Sequence, residues 1–353
     1  MSVSMKWLPM VLPGLLIAAA LYSAPTLAQS RSAPPLAPTT MASSAPANDG
    51  VVDLDTMVVS GVQPGPGLWK VSKGDHTLWI LGTLSPLPKK MTWLPRDVDA
   101  AIAQSQEILG PPGVSFDPDV GIIRGAFLIP SLLKARKNPD GRTLQQVLPA
   151  DLHARWLALK LKYIGRDAGV EKWRPMFAAY ELYKEALDES GLVQGGVIGP
   201  AISKAAKRHK VKQTSPVVKV KIEQPKKVIK EFSSASLDDI ECFGKTMTRL
   251  ETDLATMTAR ANAWAIGDIE ALRALPYDDQ NRECLSAFIQ AGFAQKRGMG
   301  DLPARVQAAW LAAAGTALES NQITFATLPI SDMLNPEGYL GKLRAKGYIV
   351  EEP

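Results

Sequence analysis

A short apolar strand that ends at a glycine is the part of this chain best placed to present reactive side chains. Leu78-Trp79-Ile80-Leu81 runs into Gly82-Thr83-Leu84-Ser85. Catalytic and metal-binding side chains are often found on the turn after a strand, because the strand fixes the position of the turn. A histidine at position 85 would be typical of a metal ligand, but the residue is Ser85. The chemistry open to this turn is therefore that of a hydroxyl group.

Ser85 lacks the sequence context of a nucleophilic serine. It lies between a leucine and a proline, so the Gly-x-Ser-x-Gly elbow is absent. A general base would have to be His76, His153 or His209, the three histidines of the chain. His76 begins the strand that precedes the turn, which places it about 15 Å or more away at ~3.3 Å per residue. The alternative is that the Ser85 hydroxyl hydrogen-bonds the turn before the proline.

A transition-metal site has few available ligands in this sequence. No histidine has a second one two, three or four residues away, and catalytic zinc or manganese sites need about three protein ligands. Glu223 and Asp332 could coordinate a hard cation, and Ser85 would add a weak oxygen ligand. Such a site would bind Mn, Co or Zn far more weakly than two histidines would. We therefore expect no cofactor, with a divalent metal held by Glu223 and Asp332 as the alternative.

The N-terminus predicts export. Residues 1–28 have a basic residue, an apolar stretch and a small-residue cleavage site at Ala28, which is the pattern of a signal peptide. A retained membrane anchor is the alternative, but the apolar stretch is short and contains two prolines. Residues 29–66 are a low-complexity linker with a short strand-like run at Met57 to Gly61. A folded domain is predicted over 67–353, with no transmembrane segment in it and a periplasmic or extracellular location.

The expected export bears on the oxidation state of the two cysteines, Cys242 and Cys284. An oxidising compartment favours a disulfide between them, and two buried free thiols are the alternative.

Basic residues are concentrated in Lys204 to Lys230, which holds ten of them and only one acidic residue, Glu223. One interpretation is a surface for a polyanion such as lipopolysaccharide or for an acidic partner. The other is a solvated helix followed by an edge strand protected by Lys219 and Lys221, which alternate with apolar residues. No aromatic residue is interleaved with the lysines, and the net charge is only +5, so nucleic acid is not expected as a partner.

The hydrophobic pattern predicts an α/β fold. Strands are predicted at Leu68 to Val71, His76 to Leu81 and Glu107 to Leu109, and again near the end at Ile323 to Leu328 and Tyr348 to Glu351. Between them the pattern is mostly helical, with a strand at 217–222 and single long helices at 236–265, 278–296, 302–320 and 336–346. We expect one mixed sheet built from the N- and C-terminal strands, with a large helical middle section.

Four short motifs, in order along 68–351, together resemble the TraB/GumN family. They are Leu68-Trp69-Lys70-Val71 followed by Leu81-Gly82-Thr83, Val220-Lys221-Ile222-Glu223, Trp264-Ala265-Ile266-Gly267-Asp268, and Leu343-Arg344-Ala345-Lys346-Gly347-Tyr348. The related Tiki proteins are metal-dependent proteases that use two Gly-x-x-His motifs and a glutamate. The resemblance therefore implies an α/β fold and a metal-dependent hydrolase site.

The positions that would carry this chemistry are altered here. The first Gly-x-x-His falls on Gly82 to Ser85, and the second falls on Pro329-Ile330-Ser331-Asp332. Three further polar positions of the family fall on Gly110, Ile198 and Val306. Only Glu223 and Arg305 keep the polar residue that the resemblance implies.

The sequence thus predicts an exported relative of this family that has lost its catalytic residues and acts as a binding or scaffolding protein of the cell envelope. Two alternatives remain open. One is a metal-dependent peptidase or hydrolase with a rebuilt oxygen-ligand site at Ser85, Glu223 and Asp332, in which Arg305 is a further family-equivalent position. The other is a surface polyanion binder that uses Lys204 to Lys230.

Overall fold

The computed structural model describes residues 65–353 except 92, 94, 119, 122–124 and 276–279, with the backbone alone at 280–283, 287 and 293. The predicted signal peptide and nearly all of the linker, with its strand-like run at 57–61, lie outside the described residues. Within them, no helix combines the length and the apolar character needed to cross a bilayer.

Strands and helices follow one another along the chain. The strands are β1 (Leu68–Lys73), β2 (His76–Thr83), β3 (Leu87–Pro88), β4 (Glu107–Leu109), β5 (Gly113–Pro118), β6 (Leu192–Val193), β7 (Lys212–Thr214), β8 (Val217–Ile222), β9 (Ile323–Pro329) and β10 (Ile349–Glu351). The helices are α1 (Arg96–Gln104), α2 (Ile129–Ala135), α3 (Leu144–Val147), α4 (Ala150–Tyr163), α5 (Pro175–Glu189), α6 (Ile198–His209), α7 (Pro225–Ser234), α8 (Ile240–Thr252), α9 (Leu254–Ile266), α10 (Ile269–Ala274), α11 (Gln280–Gln290), α12 (Gly292–Gln295), α13 (Leu302–Ser320), α14 (Ile330–Leu334) and α15 (Tyr339–Ala345).

The main sheet has six strands in the order β10-β1-β2-β9-β4-β7. β1 pairs antiparallel with β2 and with β10, while β2, β9, β4 and β7 are parallel to one another. Val71 lies opposite Val350, so the two ends of the described chain meet in one sheet. The predicted fold class, an α/β protein with a mixed sheet and a large helical middle, is confirmed.

The core of the sheet is formed by strands whose side chains are buried on both faces. Phe325, Ala326 and Leu328 of β9 have no exposed surface, which is typical of a central parallel strand. α13 packs against four strands of this sheet. It buries Trp310, Ala314 and Leu318, which lie at four-residue spacing and so share one face of the helix.

Two strands of the main sheet continue beyond it as a separate parallel ribbon. β4 is followed after Gly110 to Pro112 by β5, and β7 is followed after Ser215-Pro216 by β8. β5 and β8 pair with each other, from Gly113 opposite Val217 to Pro118 opposite Ile222. Prolines lack the backbone N–H that a ladder needs, so pairing stops at the same level in both strands. The strand predicted at 217–222 is therefore present, but it belongs to this ribbon; β5 was not predicted.

The helical middle section has its own apolar core, formed mainly by α4, α5 and α8. Its largest buried side chains are Trp156, Tyr183 and Phe243. Arg174 is also buried and donates hydrogen bonds to the carbonyl oxygens of Phe232, Ser233 and Ala235 at the end of α7. These bonds satisfy carbonyl groups that have no partner within the helix.

The single helix predicted over 236–265 is wrong, because the chain is divided at Asp253 into α8 and α9. The carboxylate of Asp253 accepts hydrogen bonds from Arg260 at 2.8 and 3.1 Å, and Arg249 Nε lies 3.3 Å from it. Asp253 ends one helix and begins the next. Its N–H donates a hydrogen bond to the carbonyl oxygen of Arg249, and its own carbonyl oxygen accepts one from the N–H of Met257. The single helix predicted over 278–296 is also divided, because Ala291 separates α11 from α12. The last helix, predicted from Pro336, begins at Tyr339.

Cys242 of α8 and Cys284 of α11 form a disulfide in the structure, with their Cα atoms 5.0 Å apart. The pair closes a loop over a sequence separation of 42 residues.

Glu107, at the start of β4, holds three segments together at one edge of the main sheet. Its carboxylate accepts hydrogen bonds from the hydroxyl of Thr214 on β7 and from Asn321 before β9, and Lys212 lies 3.2 Å away. Burial acts to raise the pKa of Glu107, but the hydrogen bonds of Thr214, Lys212 and Asn321 hold it below the ordinary value. The ionised form is therefore favoured by folding.

We expect Glu107→Gln to lower the free energy of unfolding by about 1–3 kcal/mol at pH 7, because hydrogen bonds to a charged group are lost. A pKa lowered by folding gives stability that is present above the unfolded value, near ~4.3, and is lost as the pH falls through the folded value. The difference from wild type should therefore shrink in acid. Urea denaturation between pH 4 and 7 measures it.

Glu319→Gln is the matched control, since Glu319 pairs with Lys73 on the exposed surface. Little change is expected there at any pH. An equal effect of the two substitutions would contradict the role given to Glu107.

Candidate functional site

The ends of β2 and β9 bring two of the predicted site residues to neighbouring turns. These strands are parallel, with Gly82 opposite Leu328 and Thr83 opposite Pro329. Ser85 follows β2 by two residues, and Asp332 follows β9 by three residues, inside the short helix α14. Both residues are half-buried. The carboxyl edge of this sheet is thus the place where the implied family site would lie.

Gly82 is favoured by the close packing of the α14 side chain Ile330 against β2. A Cβ atom at this position would lie 2.5 Å from Cδ1 of Ile330 and 3.3 Å from the ring of Trp69. A side chain at this position would therefore force the end of the Ile330 side chain to move. The glycine of the first motif is explained by packing alone and needs no catalytic reason.

Trp264 holds the carbonyl group of this same glycine. The indole is fully buried and its Nε1 donates a hydrogen bond of 2.7 Å to the oxygen of Gly82. Trp93 packs edge-on against the indole, with ring centroids 5.5 Å apart. Gly267 then ends α9 with a φ of 74°, and Asp268 begins α10 by accepting a hydrogen bond from the N–H of Ala271. The Trp-x-x-Gly-Asp motif therefore has a structural role at each of its three fixed positions.

A second tryptophan makes the equivalent bond at the end of β4. Nε1 of Trp310 donates to the carbonyl oxygen of Gly110 at 3.1 Å, and the N–H of Gly110 donates to Thr214 at 2.8 Å. Gly110 is the position at which the resemblance implies an acidic residue. A Cβ atom there would make ordinary contacts, the nearest at 3.5 Å. The backbone can accommodate a side chain that this sequence does not supply.

Glu223 and Arg305 do not share these turns. Glu223 follows β8 at the far end of the two-stranded ribbon and is exposed. Arg305 lies in the first turn of α13, where it donates to the carbonyl of Gly298 at 3.3 Å and lies 3.5 Å from Asp301. Of the other altered positions, Ile198 is buried at the start of α6 and Val306 is half-buried in α13.

Each histidine has a partner elsewhere in the molecule. Nδ1 of His76 lies 2.8 Å from the carbonyl of Leu318, at the opposite end of β2 from Ser85 and about 20 Å along the strand. Nε2 of His153 lies 3.9 Å from Glu171, and Nε2 of His209 lies 3.3 Å from Asp99. These positions do not assemble a serine–histidine pair at the turn.

The side chains at this edge do not fit a catalytic transition metal. Zinc sites use nitrogen, sulfur or carboxylate ligands in sets of about three. Across the part of the chain that the structure describes, no group of three histidine, cysteine, aspartate or glutamate residues is close enough to hold an ion. Of the three predicted oxygen ligands, Ser85 and Asp332 lie on these turns, whereas Glu223 follows the end of the separate ribbon formed by β5 and β8.

The roles of the two tryptophans could not be derived from the sequence. Both indoles are fully buried. The hydrogen bonds to Gly82 and Gly110 span 182 and 200 residues. No local pattern reports such a pair.

A family model for the TraB/PrgY/gumN family matches residues 67–352. The chain belongs to this family. No curated protein and no solved structure matches the chain. The matched range begins at Gly67, one residue before β1, and ends at the penultimate residue, so the family covers the main sheet and the helical middle together.

The hydrogen bond from Trp264 to Gly82 in this TraB/PrgY/gumN protein can be tested by substitution. We expect Trp264→Phe to lower the free energy of unfolding by about 1–3 kcal/mol beyond the loss of packing, because the Gly82 carbonyl loses a buried donor. Trp69→Phe is the control. Its indole is also fully buried, but its Nε1 has no hydrogen-bond partner among the described residues.

Guanidinium denaturation of the two variants gives the difference. If both substitutions destabilise the protein equally, the bond from Trp264 is not important for stability.

Proposed function

We propose that this protein is an exported member of the TraB/PrgY/gumN family that has lost catalysis and serves as a binding or scaffolding protein of the cell envelope. The observation that carries the proposal is the contrast at one sheet edge. Gly82, Trp264, Gly267 and Asp268 keep their structural contacts, while the neighbouring positions for chemistry hold Ser85, Gly110 and Asp332. A scaffold with this edge intact can still present a surface to a partner.

The disulfide supports the exported location. Cys242 is buried, and the bridge to Cys284 ties α11 to the helical middle section. Such bridges persist in oxidising compartments and are rare in the cytosol. The N-terminal pattern of residues 1–28 points to the same compartment.

The alternative function is a metal-dependent hydrolase that uses oxygen ligands. It is favoured by one observation, the placement of Ser85 and Asp332 on neighbouring turns. Carboxylate and hydroxyl oxygens suit hard cations better than zinc. The scaffolding protein and the hydrolase would differ in metal content and in activity on peptides.

We expect protein purified without chelators to contain no stoichiometric Mn, Co or Zn, and to cleave no peptide when these metals are added. Elemental analysis and a peptide-library assay measure both. One tightly held ion per chain, with cleavage abolished by Asp332→Ala, would establish the hydrolase instead. Glu337→Ala is the control, because its carboxylate is exposed on the following loop.

Polyanion binding through Lys204 to Lys230 remains a third possibility, and the structure divides this run. Lys204, Lys207 and Lys210 belong to α6 and its end, and β8 exposes Lys219 and Lys221 beside half-buried valines. Lys212 begins β7, and Lys226, Lys227 and Lys230 lie on α7. Retention on heparin that falls with salt would support this function, and no retention would exclude it.

A further inference from the structure

An exposed apolar segment lies at α2 and in the turn before it. The side chains of Phe127, Ile129 and Leu132 are 74, 44 and 49% exposed, although they fall within six residues of one another. Leu128 and Ala135 are the buried residues that anchor the segment. Single exposed apolar side chains are ordinary, but a contiguous group indicates an interaction surface.

Exposed lysines lie on this segment and on the helix that packs against it. α2 packs against α7, which exposes Lys226, Lys227 and Lys230, and α2 itself exposes Lys134. Among the described residues, none of these four lysines has an acidic partner within salt-bridge distance. The acidic residue of α7, Glu231, is bound by Arg297. The two packed helices therefore carry both the exposed apolar side chains and four lysines that form no salt bridge among the described residues, with Glu223 as the exposed acidic residue just before α7.

This combination matches the boundary of a phospholipid bilayer. The boundary places anionic phosphate groups next to acyl chains, and amphipathic surfaces bind it through apolar burial together with lysine contacts. A lysine can keep its ammonium group at the phosphate level while its methylene groups lie deeper. An acidic protein partner would satisfy the lysines but would leave Phe127, Ile129 and Leu132 without a reason to be exposed.

We infer that the surface formed by α2 and α7 docks on an anionic phospholipid bilayer. Phe127, Ile129 and Leu132 enter the acyl boundary, and Lys134, Lys226, Lys227 and Lys230 contact the phosphate groups. The protein lies on the membrane through this surface. The inference goes beyond the proposed function and does not depend on the loss of catalysis.

A local probe tests it in the full chain. Leu132→Cys is labelled with an environment-sensitive dye, which reacts with this thiol alone while the Cys242–Cys284 bridge is intact. The control is Leu161→Cys on α4, since Leu161 is 62% exposed and precedes a lysine but lies on another helix pair. Vesicles of phosphatidylglycerol and phosphatidylcholine are added. We expect a blue shift and quenching by lipid-attached quenchers at position 132 only.

Because the probe reports its own surroundings, the apolar residues of the N-terminal segment do not determine the result. No shift at position 132, or equal shifts at 132 and 161, would overturn the inference. A shift that grows with protein concentration in the absence of lipid would also overturn it, since it would identify a second copy of the chain as the occupant.

The lysines are tested by charge removal. Replacement of Lys226, Lys227 and Lys230 by glutamine should weaken binding to the anionic vesicles roughly hundredfold, because each lysine near the surface contributes about 1 kcal/mol of electrostatic attraction, a factor of about five in affinity. The same three-fold replacement at Lys204, Lys207 and Lys210 removes equal charge from α6 and should have little effect. Equal losses in the two variants would show that net charge alone drives binding, which contradicts the inference.

Discussion

The hydrogen bond from the buried indole of Trp264 to the carbonyl oxygen of Gly82 fixes the edge on which any chemistry of this fold would lie. It connects a helix of the second half of the chain to the end of the second strand, across 182 residues. Both groups are removed from water, so neither can exchange this partner for a solvent molecule without cost. Trp310 and Gly110 repeat the arrangement two strands away in the same sheet. The two bonds hold the ends of β2 and β4 in place whatever side chains the following turns carry.

The order of strands and helices could be anticipated because it depends on local patterns. The hairpin at Gly74, the strand at Ile323 and the long helix that ends at Ser320 all follow from hydrophobic periodicity and turn residues. The meeting of the chain ends followed from the position of the apolar strands. The prolines at 111, 112 and 216 were visible too, but their effect was not, since it depends on two distant strands being interrupted at the same level. The break at Asp253 was missed because Arg260 and Arg249 determine it from both sides.

The candidate site could be located from the sequence but not assembled from it. Ser85 and Asp332 were placed on turns after strands, and the parallel pairing of β2 and β9 makes those turns neighbours. Glu223 was placed after a strand as well, but that strand belongs to the ribbon that leaves the main sheet. Strands that pair in a sheet can be distant in the sequence. The residues that follow each predicted strand therefore do not show which strand ends lie next to each other. The same limit applies to the run from Lys204 to Lys230, which is continuous in the sequence but is divided among α6, β7, β8 and α7.

The motifs by which this chain is assigned to its family are the ones that the fold itself requires. The close approach of Ile330 favours a glycine at position 82, and a positive φ favours a glycine at position 267. Asp268 caps the start of a helix. A substitution at any of these would cost folding free energy even in a protein without activity. A side chain at position 110 carries no such cost, since a Cβ atom there would make only ordinary contacts. Selection for stability alone would therefore keep the family signature while the site beside it changed, and family membership by itself carries no claim to the family's chemistry.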